Sequence, residues 1–232
     1  MILITRPKDS IKNLEKQLSE LNIKYFTESL SKIKFKSQKF KKYTNKIYLV
    51  SSPRVIDLLI KKRSTYSKLK FLIIGTSSGK KMIQAGFKNI LGVSENRIKM
   101  LSIIKKLKKV TEVEYLTGTT INKKFCRDIM RLNINLKTHI LYKTYYIKNL
   151  SSKCKILFRN KKIKIILLYS AANANHLIYL IKKSNLEKSS SHIKFLCLSK
   201  NIAMLVSRAG FKCHYTKQPN EMSMISSIKR LN

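Results

Sequence analysis

LIIGTSS at residues 72–78 continues to QAGFK at residues 84–88, and LCLSKN at residues 196–201 continues to RAGFK at residues 208–212. Each copy contains a short apolar run, a turn of small or polar residues, and a stretch that ends in Ala-Gly-Phe-Lys. A β-strand followed by a helix has this pattern, and the glycine near its end closes the helix as a C-cap. We therefore predict that one strand–helix unit occurs twice in this chain.

Two further pairs of segments repeat in the same order along the chain. LVSSP at residues 49–53 resembles LYSAA at residues 168–172, and the run at residues 2–5 resembles residues 114–117. Short apolar runs alternate with helical patterns, which is typical of parallel sheets covered by helices on both faces. The sequence therefore predicts an α/β fold with two similar lobes, each a parallel sheet flanked by helices.

The chain is strongly basic. Its 232 residues include 50 Lys and Arg but 11 Asp and Glu, which gives a formal net charge of +39. Three interpretations stay open at this point: a nucleic-acid partner, a strongly acidic small substrate, or a compositional drift toward lysine. Because the lysines are scattered over nearly every predicted exposed face, the charge raises affinity for any polyanion without identifying one.

Cysteine, histidine and glycine patterns argue against a metal or a nucleotide cofactor. The four cysteines form no CxxC pair and the four histidines no HxxxH, so we expect no metal site and reduced thiols in a cytoplasmic protein. GTSSGKK at residues 75–81 has one residue fewer between its glycines than a phosphate-binding loop, and Lys81 replaces that loop's hydroxyl residue. No apolar run approaches the roughly 18 residues of a membrane helix. We therefore expect no cofactor and no membrane association.

Small and hydroxylated residues recur in the predicted strand-to-helix turns. Each of them could simply cap the helix that follows. As a set they lie at the carboxyl ends of parallel strands, where open α/β sheets bind ligands and helix N-termini attract anions. A cleft between two lobes lined in this way would suit a large polycarboxylate. The candidate substrate-binding residues are Thr5, Arg6, Ser51, Ser52, Ser78, Gly118, Thr119, Ser170, Ser199 and Asn201.

Tyr142 is the catalytic candidate. It lies in LYKT at residues 141–144, near the end of a predicted strand. Two interpretations stay open: an amphipathic aromatic residue at a lobe edge, or a weak general acid that donates a hydrogen bond to a substrate. The 11 acidic residues form no obvious catalytic pair, and no Ser-His-Asp order is recognisable.

Several segments, taken in order, resemble the motifs of the uroporphyrinogen-III synthase family. The resemblance covers nearly the whole chain and rests on the order and spacing of the motifs rather than on any single one. The matching segments are ILITRP at residues 2–7, VSSPRV at 50–55, IG at 74–75, AGF at 85–87, LTG at 116–118, LYKT at 141–144, the second AGF at 209–211 and QPN at 218–220.

The resemblance implies a discontinuous lobe of residues 1–34 plus 150–232, a second lobe of residues 43–142, and a two-stranded linker at residues 35–42 and 143–149. It also implies a lyase that cyclises the linear tetrapyrrole hydroxymethylbilane, with inversion of ring D and loss of water, in haem biosynthesis. No cofactor or metal is implied. Tyr142 corresponds to the family tyrosine and is expected to assist departure of the hydroxyl group.

The implied enzyme is a cytoplasmic monomer with no membrane or specific nucleic-acid partner, and it could receive its substrate in transient contact with hydroxymethylbilane synthase. Several residues depart from the family motifs. Thr117 stands in place of an arginine, Asn122 or Lys123 falls near the position of a second arginine, and Ile202 replaces a threonine. The alternative is therefore a diverged homologue, or a basic nucleic-acid-binding protein on the same scaffold.

Overall fold

The computed structural model describes residues 1–36, 43–107 and 110–231. Residues 37–42 of the first predicted connector lie outside these ranges. The described chain folds into two compact units. Unit 1 contains Met1–Lys32 and Tyr145–Asn232, and unit 2 contains Ile33–Thr144.

Strands and helices alternate along most of the chain, as the repeated strand–helix pattern predicts. The strands are β1 (Ile2–Ile4), β2 (Tyr25–Thr27), β3 (Ser31–Phe35), β4 (Ile47–Val50), β5 (Lys70–Ile74), β6 (Ile90–Ser94), β7 (Glu112–Gly118), β8 (Asn135–Tyr146), β9 (Ile165–Leu168), β10 (Lys194–Cys197) and β11 (Cys213–Tyr215). The helices are α1 (Lys12–Glu20), α2 (Pro53–Lys61), α3 (Arg63–Tyr66), α4 (Thr76–Gln84), α5 (Arg97–Lys106), α6 (Lys123–Met130), α7 (Ser152–Arg159), α8 (Ala171–Lys183), α9 (Glu187–Ser190), α10 (Lys200–Arg208) and α11 (Glu221–Leu231). None of the helices within the described ranges is both long and apolar enough to cross a membrane.

The sheets of the two units have an equivalent order over five strands, and the sheet of unit 2 has β3 as a sixth. In unit 1 the order is β11-β10-β9-β1-β2, and in unit 2 it is β3-β8-β7-β4-β5-β6. The parallel neighbours of β9 are β10 and β1, and those of β4 are β5 and β7. The three predicted repeats therefore fall on equivalent strands: β4 with β9, β5 with β10, and β7 with β1. The predicted α/β fold, with two parallel sheets flanked by helices, is confirmed.

The central strands are buried on both faces. On β9, Ile166 and Leu168 belong to one apolar core cluster, whereas Ile165 and Leu167 belong to another. Because successive side chains of a strand point to opposite faces, a strand covered on both sides is apolar at every position. This explains why β9 and its equivalent β4 read as unbroken apolar runs in the sequence.

The sequence patterns missed the short strands β2, β3, β6 and β11. These strands are partly exposed and mix apolar with polar residues, so they lack the continuous apolar run used to predict the others. The predicted strand that ends near Tyr142 is also longer in the structure, because β8 continues to Tyr146 and includes part of the predicted connector at 143–149. Beside it lies β3, and the N–H of Lys36, the residue after β3, donates to the Leu141 carbonyl. The chain passes between the units within these two strands.

Candidate functional site

The strand order of each sheet reverses beside its central strand. The reversal lies between β4 and β7 in unit 2 and between β9 and β1 in unit 1. In open α/β sheets, ligands bind at the carboxyl ends of the strands at such a point. The predicted site residues follow these strands or their neighbours β5 and β10, so the structure places them at the carboxyl edge of one sheet or the other.

Tyr142 lies at this edge in unit 2 and forms hydrogen bonds with two of the predicted residues, Ser52 and Thr119. Its hydroxyl is 2.9 Å from the Ser52 Oγ, and Ser52 is the N-cap residue of α2. The Thr119 N–H donates to the Tyr142 carbonyl at 3.1 Å. The ring of Phe35 packs at an angle, with its centroid 5.7 Å from that of Tyr142. Tyr142 is therefore held in place while remaining half-buried rather than enclosed.

Gly118 provides the space that the Tyr142 ring occupies. A Cβ atom at Gly118 would lie 2.3 Å from the Tyr142 Cζ and 2.8 Å from its hydroxyl oxygen. Gly118 ends β7, where the pairing register with β8 shifts between Thr117 and Gly118. A residue with a side chain would therefore force the tyrosine ring away from Ser52.

Two other predicted serines of unit 2 occupy different environments. The Ser51 Oγ lies 2.6 Å from the hydroxyl of Tyr115, a buried residue of β7. Ser78 is half-buried in the first turn of α4, where helix N–H groups remain available to an anion. Gly75 precedes that helix with a φ of 110°, a conformation that favours glycine.

In unit 1, two predicted residues have a structural role in the described state. Thr5 is fully buried, and its hydroxyl donates to the Leu167 carbonyl at 2.7 Å, which ties the end of β1 to β9. Ser170 caps α8 by accepting from the Asn173 N–H at 3.2 Å. The proton of the Thr5 hydroxyl is therefore engaged within unit 1, and the oxygen can still accept a hydrogen bond.

The turn after β10 differs from its equivalent in unit 2. Ser199 is the N-cap residue of α10, and Asn201 is exposed in the first turn. Ile202, which replaces a threonine of the family motif, is buried in the apolar core of unit 1. Its side chain therefore packs inward, so at this turn Ser199 and Asn201 are the polar candidates.

Arg6 forms an ion pair that the sequence did not predict. Its Nη1 lies 3.0 Å from the Glu221 Oε2, and its guanidinium stacks over the Tyr169 ring at 4.6 Å from the centroid. The Asn13 amide donates to the other oxygen of Glu221 at 2.8 Å. Glu221 comes directly after the QPN motif at residues 218–220. Its position in the sequence does not indicate that it pairs with Arg6.

Asn122 has a local role as a helix cap. Its side-chain oxygen accepts from the Phe125 N–H at 2.9 Å at the start of α6, and Lys123 beside it is exposed. Thr117, at the other departure from the family motif, is buried in β7. Asn122 and Thr117 carry no charge, whereas the adjacent Lys123 does.

Replacing Asn122 with alanine is expected to lower the free energy of unfolding by about 1 kcal/mol, because the first turn of α6 loses its side-chain acceptor. Asn122→Asp should retain most of the stability, since aspartate caps helices as well as asparagine does. Urea unfolding followed by circular dichroism would measure both. Equal losses in the two variants would contradict the capping role.

A second polar cluster lies near the amino ends of β4 and β7, away from the carboxyl edge. The Lys46 ammonium is 2.8 Å from a Glu112 oxygen and 2.9 Å from a Glu114 oxygen, and His139 contacts the other oxygen of Glu114. Burial raises the pKa of the Glu114 carboxyl, but hydrogen bonds from His139 and Lys46 outweigh burial and lower it overall. The paired carboxylates in turn raise the pKa of Lys46.

The cysteine thiols have the properties of core residues. All four are free, and Cys154 and Cys197 are fully buried. Burial raises the pKa of the Cys197 thiol to about 12, so it is protonated and unreactive near neutral pH. Within the residues that the structure describes, no group of three His, Cys, Asp or Glu side chains is placed to hold a metal ion.

Comparison with known proteins agrees with this architecture. A uroporphyrinogen-III synthetase from Helicobacter pylori superposes with a TM-score of 0.67 at 12% identity, covering 100% of this chain and 99% of that one. A mutant uroporphyrinogen III synthase from Thermus thermophilus superposes with a TM-score of 0.64 at 10% identity, covering 99% and 97%. Curated proteins give no significant sequence match. The family model described as uroporphyrinogen-III synthase HemD matches residues 12–226, and the chain therefore belongs to the uroporphyrinogen-III synthase family.

Proposed function

We propose that this protein cyclises hydroxymethylbilane to uroporphyrinogen III, as a lyase that releases water and inverts ring D. The observation that carries the proposal is the position of Tyr142 in a chain of this family. Its hydroxyl is held 2.9 Å from the Ser52 Oγ at the reversal point of the unit 2 sheet, with Gly118 making room for the ring. That is where an open α/β sheet presents its reactive groups.

Tyr142 assists the departure of the substrate hydroxyl. As the carbon–oxygen bond breaks, the leaving oxygen takes up a proton and departs as water. A phenol hydroxyl can donate the hydrogen bond along which that proton moves, and Ser52, which can accept as well as donate, keeps it oriented. Solvent can also supply the proton, so Tyr142 accelerates this step without being indispensable.

Each unit, taken by itself, has helix starts suited to substrate carboxylates at the carboxyl edge of its sheet. Ser52, Ser78, Ser170 and Ser199 lie at the starts of helices α2, α4, α8 and α10, where backbone N–H groups and the helix dipole favour anions. The net charge of +39 adds a long-range attraction for a ligand with eight carboxylates. Because backbone N–H groups bind the anion, this kind of binding needs no particular side chain at each turn. It is therefore compatible with Thr117 in place of an arginine and Ile202 in place of a threonine.

Positioning accounts for the absence of a catalytic triad from the sequence. Hydroxymethylbilane can close spontaneously without inversion, so the enzyme must hold a flexible chain in the geometry that leads to inversion. Restricting the reactants in this way is a large source of rate acceleration in itself. We infer that the protein works as a cytoplasmic monomer and takes its unstable substrate from hydroxymethylbilane synthase.

The test is an isomer assay. Hydroxymethylbilane is generated in situ by a deaminase, the products are oxidised, and the uroporphyrin isomers are separated. The wild-type chain is expected to yield the type III isomer, whereas a product that is only type I would refute the proposal.

Tyr142→Phe should still yield type III, at a rate reduced roughly tenfold because one hydrogen bond to the leaving group is lost. Tyr215→Phe removes a hydroxyl from an exposed residue of β11 and serves as the matched control, with an unchanged rate. An unchanged rate in Tyr142→Phe would remove Tyr142 from the chemical step.

A further inference from the structure

Arg6, which is predicted to bind a carboxylate of the substrate, is paired in the structure with a carboxylate of the protein, that of Glu221. Arg6 follows β1, at the reversal point of the unit 1 sheet, and its Nη1 contacts the Glu221 Oε2 at 3.0 Å. The side chains of Arg6 and Glu221 are 28% and 31% exposed, so a ligand can reach the pair. Asn13 holds the remaining oxygen of Glu221, which fixes the carboxylate in front of the guanidinium.

The Tyr169 hydroxyl beside this pair has no hydrogen-bond acceptor among the described residues. Its oxygen is buried, and the neighbouring Arg6 guanidinium, which covers the ring, can only donate hydrogen bonds. Burial raises the pKa of Tyr169 to about 12, so the hydroxyl keeps its proton near neutral pH. A buried donor without an acceptor costs free energy, because it has given up its hydrogen bond to water.

In unit 2, Ser51 precedes the N-cap residue of α2 just as Tyr169 precedes that of α8, and Ser51 is paired with the Tyr115 hydroxyl at 2.6 Å. The hydroxyl of Ser51 in unit 2 therefore has a hydrogen-bond partner, whereas the hydroxyl of Tyr169 in unit 1 has no acceptor among the described residues. Since buried polar groups are normally hydrogen-bonded, this difference indicates that an acceptor is missing beside Tyr169 in this state.

We infer that Glu221 is an internal stand-in for a substrate carboxylate: it occupies Arg6 until a carboxylate of the ligand displaces it, and the Tyr169 hydroxyl then donates to that ligand carboxylate. The inference rests on the proposed function for the identity of the ligand. It assigns Tyr169 as a further substrate-binding residue and Glu221 as a residue that tunes affinity without touching substrate.

The exchange is energetically accessible. A partly exposed ion pair contributes little to stability, because solvent screens it and both side chains lose freedom. An arginine presents several N–H donors in one plane, so a second carboxylate can begin to bind before Glu221 leaves. Once the guanidinium turns toward the ligand, it uncovers the ring of Tyr169, and the buried donor gains an acceptor.

While Glu221 is paired with Arg6, the ligand carboxylate cannot make full use of Arg6. The apparent affinity for the ligand is therefore reduced to the fraction of molecules in which this pair is open. If the pair is closed most of the time, Glu221→Gln should tighten binding roughly threefold to fivefold. Arg6→Gln should weaken binding roughly tenfold, since a charge-assisted bond to the ligand is lost. Tyr169→Phe should weaken it roughly threefold to tenfold while leaving stability unchanged or higher, because the orphaned hydroxyl is removed.

The measurement uses the full-length protein and uroporphyrin I, a stable macrocycle with eight carboxylates that cannot turn over. The chain has 11 tyrosines and no tryptophan, so quenching of tyrosine fluorescence reports binding, and calorimetry provides a check for Tyr169→Phe. The KM for hydroxymethylbilane is measured in parallel and should shift in the same direction as the Kd. Urea unfolding separates a binding effect of Tyr169→Phe from a structural one.

Two controls separate local competition from the overall charge. Glu95→Gln makes the same charge change in the exposed Glu95–Lys99 pair of unit 2, and it should leave the Kd unchanged. In an Arg6→Gln background, Glu221→Gln should no longer tighten binding, because its target is gone. The inference is overturned if Glu221→Gln acts like Glu95→Gln, if it tightens binding equally without Arg6, or if Tyr169→Phe binds as the wild type does. Failure of the wild-type chain to form the type III isomer would instead refute the proposed function and leave these Kd predictions standing on their own.

Discussion

Replacing Gly118 with alanine is expected to lower the rate of uroporphyrinogen III formation by roughly thirtyfold to a hundredfold, because a misplacement of about an ångström is enough to cost that much at a reacting group. The new Cβ would lie 2.3 Å from the Tyr142 Cζ, far inside van der Waals contact, so the ring must move. Its hydroxyl would then leave the Ser52 Oγ, now 2.9 Å away. We expect the displaced ring also to obstruct the carboxyl edge of the sheet, where substrate is proposed to bind. The effect should therefore exceed that of Tyr142→Phe, which removes only the hydroxyl.

A double variant tests whether the loss acts through Tyr142. In a Tyr142→Ala background the ring is gone, so adding Gly118→Ala should cost less than about threefold. A full additional loss in that background would show that the backbone of β7, not the tyrosine, is responsible. Gly210→Ala is the control, because its φ of 87° strains a side chain while no heavy atom of the described residues lies within 4 Å. It should cost stability and leave the rate per folded molecule unchanged.

Replacing Glu114 with alanine is expected to lower the free energy of unfolding by about 2–3 kcal/mol at pH 7. The Glu114 side chain is 1% exposed and contacts both Lys46 and His139, so its removal leaves two polar groups with fewer partners in unit 2. Glu112 still pairs with Lys46, which keeps the loss below that of a wholly unpaired buried charge. Glu95→Ala, in an exposed ion pair, should change stability by less than about 0.5 kcal/mol.

The pH dependence of this difference has a defined sign. The partners of Glu114 lower the pKa of its carboxyl in the folded state below the ordinary value of 4.5, so the unfolded state binds the proton more readily. The stabilisation is therefore complete above pH 4.5 and is lost as the pH falls through the lowered folded pKa. Urea unfolding of the wild type and of Glu114→Gln between pH 3 and 7 should show their difference shrinking with acidity. A constant difference would mean that the ionised carboxylate is not what stabilises the fold.

The sequence predicted those features that depend on residues close together in the chain, namely central strands, helix ends and helix caps. The apolar runs of β9 and β4 reveal strands covered on both faces, and the repeated Ala-Gly-Phe-Lys reveals where a helix ends, as the positive φ values of Gly86 and Gly210 confirm. Helix caps are equally local, so residues such as Ser170 could be placed at the start of a helix from the sequence. The partly exposed strands β2, β3, β6 and β11 could not be located from the sequence, because they lack a continuous apolar run.

The duplication, the α/β fold, and the location of the polar turns at the carboxyl ends of strands follow from the sequence by itself, because periodicity and turn chemistry act within a few residues. Only the tertiary structure decided which side chains meet there. Tyr142 and Ser52 are separated by 90 positions, and Arg6 and Glu221 by 215, yet each pair is in hydrogen-bonding contact. Strand order sets these meetings, and strand order depends on the packing of the whole sheet. The same dependence explains why the Thr5 hydroxyl donates to Leu167 of β9, and why Glu221, which no motif indicated, lies against Arg6.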